Sequence, residues 1–421
     1  MPDELDGRLR TARETLLAEI GPPDMGQVTR RAGTLRRRRT ATRLGGLALA
    51  CVVVAGVLSL QPWGKADGGG PEVAATPTPY GGPVYADTEV GITVNGMVRD
   101  YANPAGSIVD VEFTDPDRGF ALLADCTPDE QCRHLTVAAT ADGGLTWQLS
   151  MPPYPMPVVR PELPDLMAYG TDRLVLAGAQ PFDSVDGGRT WRPVPVAVPH
   201  LMATAPAGAR LRVPPGCGPV QVWTFGSGHN GDLANQPPIR PCWTNGEPAA
   251  GGVWWVGGID LATGAPAVAV TRDAGKTWQR PELPGSAVGA APMAWVQVST
   301  LGAYAYAYVV GPDGQLGAIY RSVDQGQRFT RTRDGIGVGL PHMVSGEAVP
   351  MLDGRLLIAS AGRWFVSEDD GATFRPGNNL NLPAVGRLAR TPAGYVALDL
   401  FGTGWSAYSS DGSTWRKLHL N

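Results

Sequence analysis

Six aspartates recur inside one short phrase: Asp142 in "TADGGLTW", Asp186 in "SVDGGRTW", Asp273 in "TRDAGKTW", Asp324 in "SVDQGQRF", Asp369 in "SEDDGATF" and Asp411 in "SSDGSTW". Carboxylates in such numbers first suggest acid–base work, since glycoside hydrolysis uses a pair of them across the scissile bond. Their recurrence argues for a turn instead, because one reaction needs one site and a repeated unit needs the same device every time. In a tight turn an Asp carboxylate accepts several backbone N–H bonds. The Gly two places on takes a conformation that other residues resist. The Thr adds a local bond, and the closing aromatics (Trp147, Trp191, Trp278, Phe329, Phe374, Trp415) bury large rings between repeats. Two copies depart from the pattern: Arg328 replaces the Thr after Asp324, and the turn at Asp411 is one residue short.

Other chemistry is sparse. His134, His200, His229, His342 and His419 stand isolated, with no ligand partner at the spacing a metal site uses, so no metal is assigned. No nucleophile elbow, phosphate loop or dinucleotide fingerprint is present, so no cofactor and no catalytic residue is assigned. Cys126 and Cys132 sit in "CTPDEQC", and Cys217 and Cys242 flank a Gly/Pro-rich stretch. Four cysteines outside a membrane admit three pairings, of which 126–132 and 217–242 are preferred over the others and over four free thiols. "FGSGHNGD" at 225–232 reads as a disulfide-pinned insertion in preference to a ligand frame built on Asn230 and Asp232. Tyr304, Tyr306 and Tyr308 share one strand face. They suit packing against a neighbouring sheet better than a sugar platform, and "GGVWWVGG" at 251–258 has the same two readings.

The elements that carry the phrases come at regular intervals. Successive aspartates lie 44, 87, 51, 45 and 42 residues apart, so one unit between 186 and 273 has lost its phrase. Seven units then fit between about 100 and 421 at a period of roughly 45, the mark of four-stranded propeller blades. The first unit reads "SIVDVEF", "GFALLAD", "HLTVAAT" and "LTWQLS", four apolar or alternating runs separated by turn residues. The phrase S/T-x-D-x-G-x-T-W/F resembles the Asp-box (BNR repeat) of sialidase-like and sortilin-like β-propellers, and of extracytoplasmic propellers related to photosystem II assembly factors. That resemblance covers 140–415. It implies turns placed away from a ligand face, and no catalytic set comes with it, because an F-R-I-P-like phrase is absent.

Ahead of the repeats, residues 44–60 ("LGGLALACVVVAGVLSL") carry no charge, and with Gln61, Pro62 and Trp63 they reach the length that crosses a hydrocarbon layer. Arg36, Arg37, Arg38, Arg39 and Arg43 precede the run, which places the N-terminus in the cytoplasm and the long C-terminal part outside. A cleaved signal peptide is the competing reading; no A-x-A site follows the apolar run. Residues 3–20 place Leu5, Leu9, Ala12, Leu16 and Ile20 on one helical stripe, and 64–83 is Gly/Pro-rich as a stalk would be. Residues 1–43 hold ten Arg against six acids, leaving 25 basic and 33 acidic residues beyond them, an acidic balance that argues against nucleic acid.

The chain therefore reads as a single-pass plasma-membrane protein in four parts. These are a short helical cytoplasmic tail (1–43), a transmembrane helix (44–63), a stalk (64–83) and an extracytoplasmic all-β, seven-bladed β-propeller (84–421). The expected function is non-catalytic binding or scaffolding of a protein, peptide or cell-wall glycan, with a surface glycoside hydrolase of sialidase-like type as the alternative.

Overall fold

The computed structural model describes residues 84–87, 91–95 and 106–418, apart from 128, 196–199, 227, 250, 287–293, 335–340, 378–384 and 400–405. The tail helix, the span at 44–63 and the stalk lie outside the described residues. Among the described residues no helix is long and apolar enough to cross a membrane. The one helical element there is the 3-10 turn Arg160–Glu162.

The protein is an all-β, seven-bladed β-propeller. Seven separate sheets follow one another along the chain. Blade 1 runs through Ser107–Phe113, Gly119–Cys126, Gln131–Thr140 and Gln148–Ser150, with Val158–Val159 added beside the third strand. Blade 2 is Asp165–Ala168, Leu174–Ala177, Phe182–Ser184 and Arg192–Pro193. Blade 3 is the unit without the phrase, Arg210–Arg212, Gln221–Thr224 and Gly228–Asp232. Blade 4 has Arg240–Thr244, Trp254–Ile259 and Pro266–Thr271; blade 5 has Trp295–Leu301, Tyr304–Val310, Leu316–Ser322 and Thr330–Arg333. Blade 6 is Val349–Pro350, Leu356–Ser360, Arg363–Ser367 and Arg375–Pro376. Blade 7 holds Val385–Thr391, Gly394–Asp399, Ser406–Ser409 and Thr414–Leu418. Hairpin after hairpin is antiparallel, as short strands with Gly-rich turns require.

Each sheet is apolar on both faces, and so each interface between blades has its own core. Trp254 faces the cluster shared by blades 3 and 4, and its neighbour Trp255 faces the one shared by blades 4 and 5. Both rings are buried, as are Tyr306 and Tyr308 in the blade 5–6 cluster, while Tyr304 at the start of that strand is exposed with Arg321 over its ring. Gly257 in the strand of Trp254 and Trp255 has no room for a side chain, because a Cβ there would collide with the Val296 carbonyl of blade 5.

The aromatic that closes each aspartate turn packs on a core shared with the preceding blade. Trp415 is fully buried with its ring centroid 5.2 Å from that of Trp364 in blade 6. Phe329 stands edge-on to Trp255 of blade 4 at 6.2 Å, and Phe374 joins the blade 5–6 cluster. Trp147, Trp191 and Trp278 are half-buried against their clusters, less enclosed than the sequence leads one to expect. Blade 3 has no such ring to lay on blade 2. Their shared apolar cluster shrinks to Met167, Val175, Ala177 and Trp223, with Tyr169 and Phe225 beside it. Arginines make up the difference: Arg173 lies over Phe225 and Arg210 over Tyr169 across the interface, at 5.2 and 5.5 Å, while Arg212 covers Trp223 within blade 3 at 5.6 Å.

Closure uses both ends of the repeat region. Val396, Leu398, Tyr408 and Leu418 of blade 7 pack with Ile108, Val111 and Phe113 of blade 1. Ile92–Asn95 then runs parallel to Thr414–Leu418 on the outer side of blade 7, and Val84–Asp87 pairs antiparallel beyond it. The "FGSGHNGD" segment corrects the expectation of a surface insertion. Gly228–Asp232 is the third strand of blade 3, in register with Gln221–Thr224, because the alternate residues of that unit must still complete a sheet.

Candidate functional site

The six repeated aspartates sit in six turns, and each is held by its own neighbours. Asp142 Oδ1 accepts from the amides of Leu145 and Thr146 at 3.1 and 2.9 Å and from Thr140 Oγ1 at 2.8 Å, while Oδ2 takes Thr146 Oγ1 at 2.6 Å. Asp186, Asp273 and Asp369 repeat this pattern with Thr190, Thr277 and Thr373. At Asp324 the amide of Arg328 still donates at 3.0 Å. The shorter turn at Asp411 keeps two amide donors, Ser413 and Thr414, both at 2.8 Å. Gly144 and its counterparts take left-handed φ values (+91° at Gly144) and press on the preceding blade. A Cβ on Gly144 would strike Leu418.

These bonds favour the charged carboxylate. At Asp186 partial burial raises the pKa, but the hydrogen bonds from Thr190 and Ser184 outweigh it and hold the group down at about 2. Asp142 and Asp186 line one surface cavity of about 480 Å³ between blades 1 and 2. Among the described cavities no other brings two of the six together.

The groups that do converge are others. A polar cavity of about 340 Å³ lies where the first strands of the blades meet. Its wall is made by Asp110 and Glu112 (blade 1), Asp165 (blade 2), Arg210 (blade 3), Thr244, Asn245 and Glu247 (blade 4), Glu347 (before blade 6) and Arg390 and Thr391 (blade 7). Blade 5 joins through Thr300, whose Oγ1 accepts from Arg390 Nη1 at 3.0 Å. Arg210 is the hub. It donates to Glu112 Oε1 and Glu247 Oε1, each at 2.6 Å, and to the Ala168 carbonyl at 2.9 Å. Glu112 Oε2 in turn accepts from the Ala168 amide at 2.6 Å. Four blades are thereby tied through one guanidinium, whose planar fork suits that task.

The remaining acids are in strained company. Asp110 is held by the Val111 amide at 3.0 Å and by Arg387 at 3.3 Å. Loss of bulk water pushes its carboxyl up to about 7; Arg387 opposes the rise, while Glu112 and Asp165 add to it. Burial also raises Glu112, against the pull of Arg210, and Glu347, against Arg390 and Arg387.

A second, more apolar cavity of about 630 Å³ adjoins the first, sharing Asp165, Thr244 and Gly246. Leu163, Pro214, Trp243, Trp295 and Pro312 line it. Cys217 and Cys242 form a disulfide in its wall, and Cys126 is bonded to Cys132 in blade 1, the two pairings the sequence favours. Among the described residues no group of His, Cys, Asp and Glu is arranged to hold a metal ion.

None of the axial residues belongs to the repeated phrase, and the sequence reading passes over them. A signal was present: Asp110 and Glu112 alternate within the apolar "SIVDVEF", putting two acids on one side of a first strand. Nothing local, however, says that Glu112, Arg210 and Glu247 meet.

No protein-family model and no curated protein matches this chain. Solved structures similar to it include YCF48 bound to D1 peptide, at 17% identity over 75% of this chain and 84% of that one, with a TM-score of 0.33. YCF48 from Cyanidioschyzon merolae matches at 13% over 75% and 96%, TM-score 0.40. The Niastella koreensis GH74 enzyme matches at 12% over 80% and 76%, TM-score 0.28. Likenesses this distant carry neither activity nor ligand from those proteins to this chain.

Proposed function

We propose that the chain is a non-catalytic binding propeller of Asp-box kinship, held at the outer face of the plasma membrane by the span at 44–63 with its N-terminus in the cytoplasm. Its axial cavities receive part of a protein, peptide or cell-wall glycan. One observation carries this reading: the polar cavity adjoins a more apolar one lined by Trp243 and Trp295, the two sharing Asp165, Thr244 and Gly246, a combination that suits recognition of an amphipathic group. The best-placed charges are already spent on one another in the Glu112–Arg210–Glu247 triad, which makes a rigid wall.

A surface glycoside hydrolase is the second reading. Asp110 favours it, because a carboxyl that holds its proton to about pH 7 beside other carboxylates is what a general acid requires. A panel of chromogenic glycosides incubated with the full chain separates the two. No turnover is expected; turnover abolished by Asp110→Asn would establish the enzyme instead.

A further inference from the structure

The polar cavity has an excess of acid and a set of unanswered hydrogen-bonding groups. Five carboxylates (Asp110, Glu112, Asp165, Glu247 and Glu347) line it with two guanidiniums, Arg210 and Arg390, and Arg387 and Arg212 pair with Asp110 and Asp165 from beside it, which leaves an excess of one acid. Glu112 has both oxygens engaged and Glu247 gives one to Arg210, whereas Glu347 accepts from the Arg390 amide and feels the Arg390 and Arg387 guanidiniums but has no side-chain donor among the described contacts. Thr391 is 3% exposed, lines the cavity, and its hydroxyl has no partner. Thr244 Oγ1 and Asn245 Nδ2, in the same wall, are likewise buried without partners. A buried polar group left unpaired costs about 1–3 kcal/mol, so each marks a place where a ligand atom would bond with profit.

The chemistry of these groups is specific. A hydroxyl and carboxylates accept from a cation, whereas an amide nitrogen donates to a carbonyl. A bare metal ion does not fit, for no ligand set of three is present among the described residues. An ammonium or guanidinium on a chain with its own carbonyls does. The adjoining cavity, with Trp243 and Trp295, then accommodates an apolar group a few ångströms along the same chain.

We propose that the axial cavity takes the lysine or arginine side chain of a peptide, its cation against Glu347 and Thr391, its carbonyl on Asn245, and an adjacent apolar side chain between Trp243 and Trp295. This deepens the binding reading above and rests on it.

The test is calorimetric titration of the full chain with four capped dipeptides: Phe-Lys, Phe-Arg, Phe-norleucine and Phe-Glu. The two cationic peptides are expected to bind about tenfold or more tightly than the norleucine peptide, the worth of one charge-assisted hydrogen bond, and to weaken as salt rises. Glu347→Gln and Thr391→Val should each weaken the lysine peptide about fivefold or more on the same grounds. Thr391→Val keeps the side-chain shape and removes a hydroxyl that bonds nothing in the protein, so the variant should melt no lower than the parent. Equal binding of the norleucine or glutamate peptide overturns the cation preference and leaves the binding reading intact. Heat from neither cationic peptide overturns the proposal, and glycoside turnover that depends on Asp110 overturns both.

Discussion

Arg328 stands where four sister turns have a threonine, and the consequence is visible atom by atom. Thr146, Thr190, Thr277 and Thr373 each donate Oγ1 to an aspartate Oδ2 at 2.6 Å, a bond that Asp324 lacks. Arg328→Thr is therefore expected to stabilise the protein by about 0.5–1.5 kcal/mol, the net worth of one hydrogen bond, measured by urea unfolding. By the same reasoning Asp186→Ala should cost more than Asp324→Ala. Asp110 makes the opposite kind of prediction. Its folded-state carboxyl titrates near 7 and its unfolded one near 3.8. The folded protein then binds the extra proton between those values, so stability falls as pH rises from about 4 to about 7 and levels off above. Asp110→Asn removes this loss and can still accept from the Val111 amide. Its melting temperature should match the parent near pH 4 and exceed it by a margin that grows up to about pH 7 and then levels off.

Among the blades, the third is held differently from the rest. Every other repeat lays the aromatic of its aspartate turn on a core shared with the blade before it. Blade 3 has no such turn and leans on the cation–π contacts of Arg173 and Arg210 and on the Arg212–Asp165 pair at 2.7 Å. Arg210 adds the buried link to blades 1, 2 and 4. Removing one member of a buried ion-pair network leaves uncompensated charge, so Arg210→Met is expected to cost about 3–5 kcal/mol. Arg210→Met combined with Glu112→Gln should recover part of that loss. Hydrogen exchange should report the damage first in Arg210–Arg212 and Gln221–Thr224, the strands that open when this interface loosens.

Taken as a whole, the ring depends on a segment that precedes the first repeat. Ile92 and Val94 are fully buried in the core shared by blades 6 and 7, and their strand covers the outer edge of Thr414–Leu418. An uncovered edge invites pairing with other chains, so this strand both packs and protects. Ile92→Ala is expected to cost about 2–5 kcal/mol, as for other large buried aliphatics, and to lower the thermal midpoint of the entire propeller and not of one blade. A melt that stayed cooperative and unshifted would show that blade 7 closes without this strand.

The aspartate turns, the strand runs and the tally of seven blades are legible in the sequence, because each rests on contacts among residues a few places apart. Asp142 caps Thr146, and Gly144 bends the turn that Trp147 closes; such chemistry is written in eight letters. The Cys126–Cys132 pair, six residues apart, was legible for the same reason. The axial cavity was not. Glu112, Arg210 and Glu247 are separated by 98 and 37 residues. They meet because seven first strands are brought around one axis. Local patterning sets what each blade is, but which side chains face one another across the centre depends on how many blades close the ring and how each packs on the last.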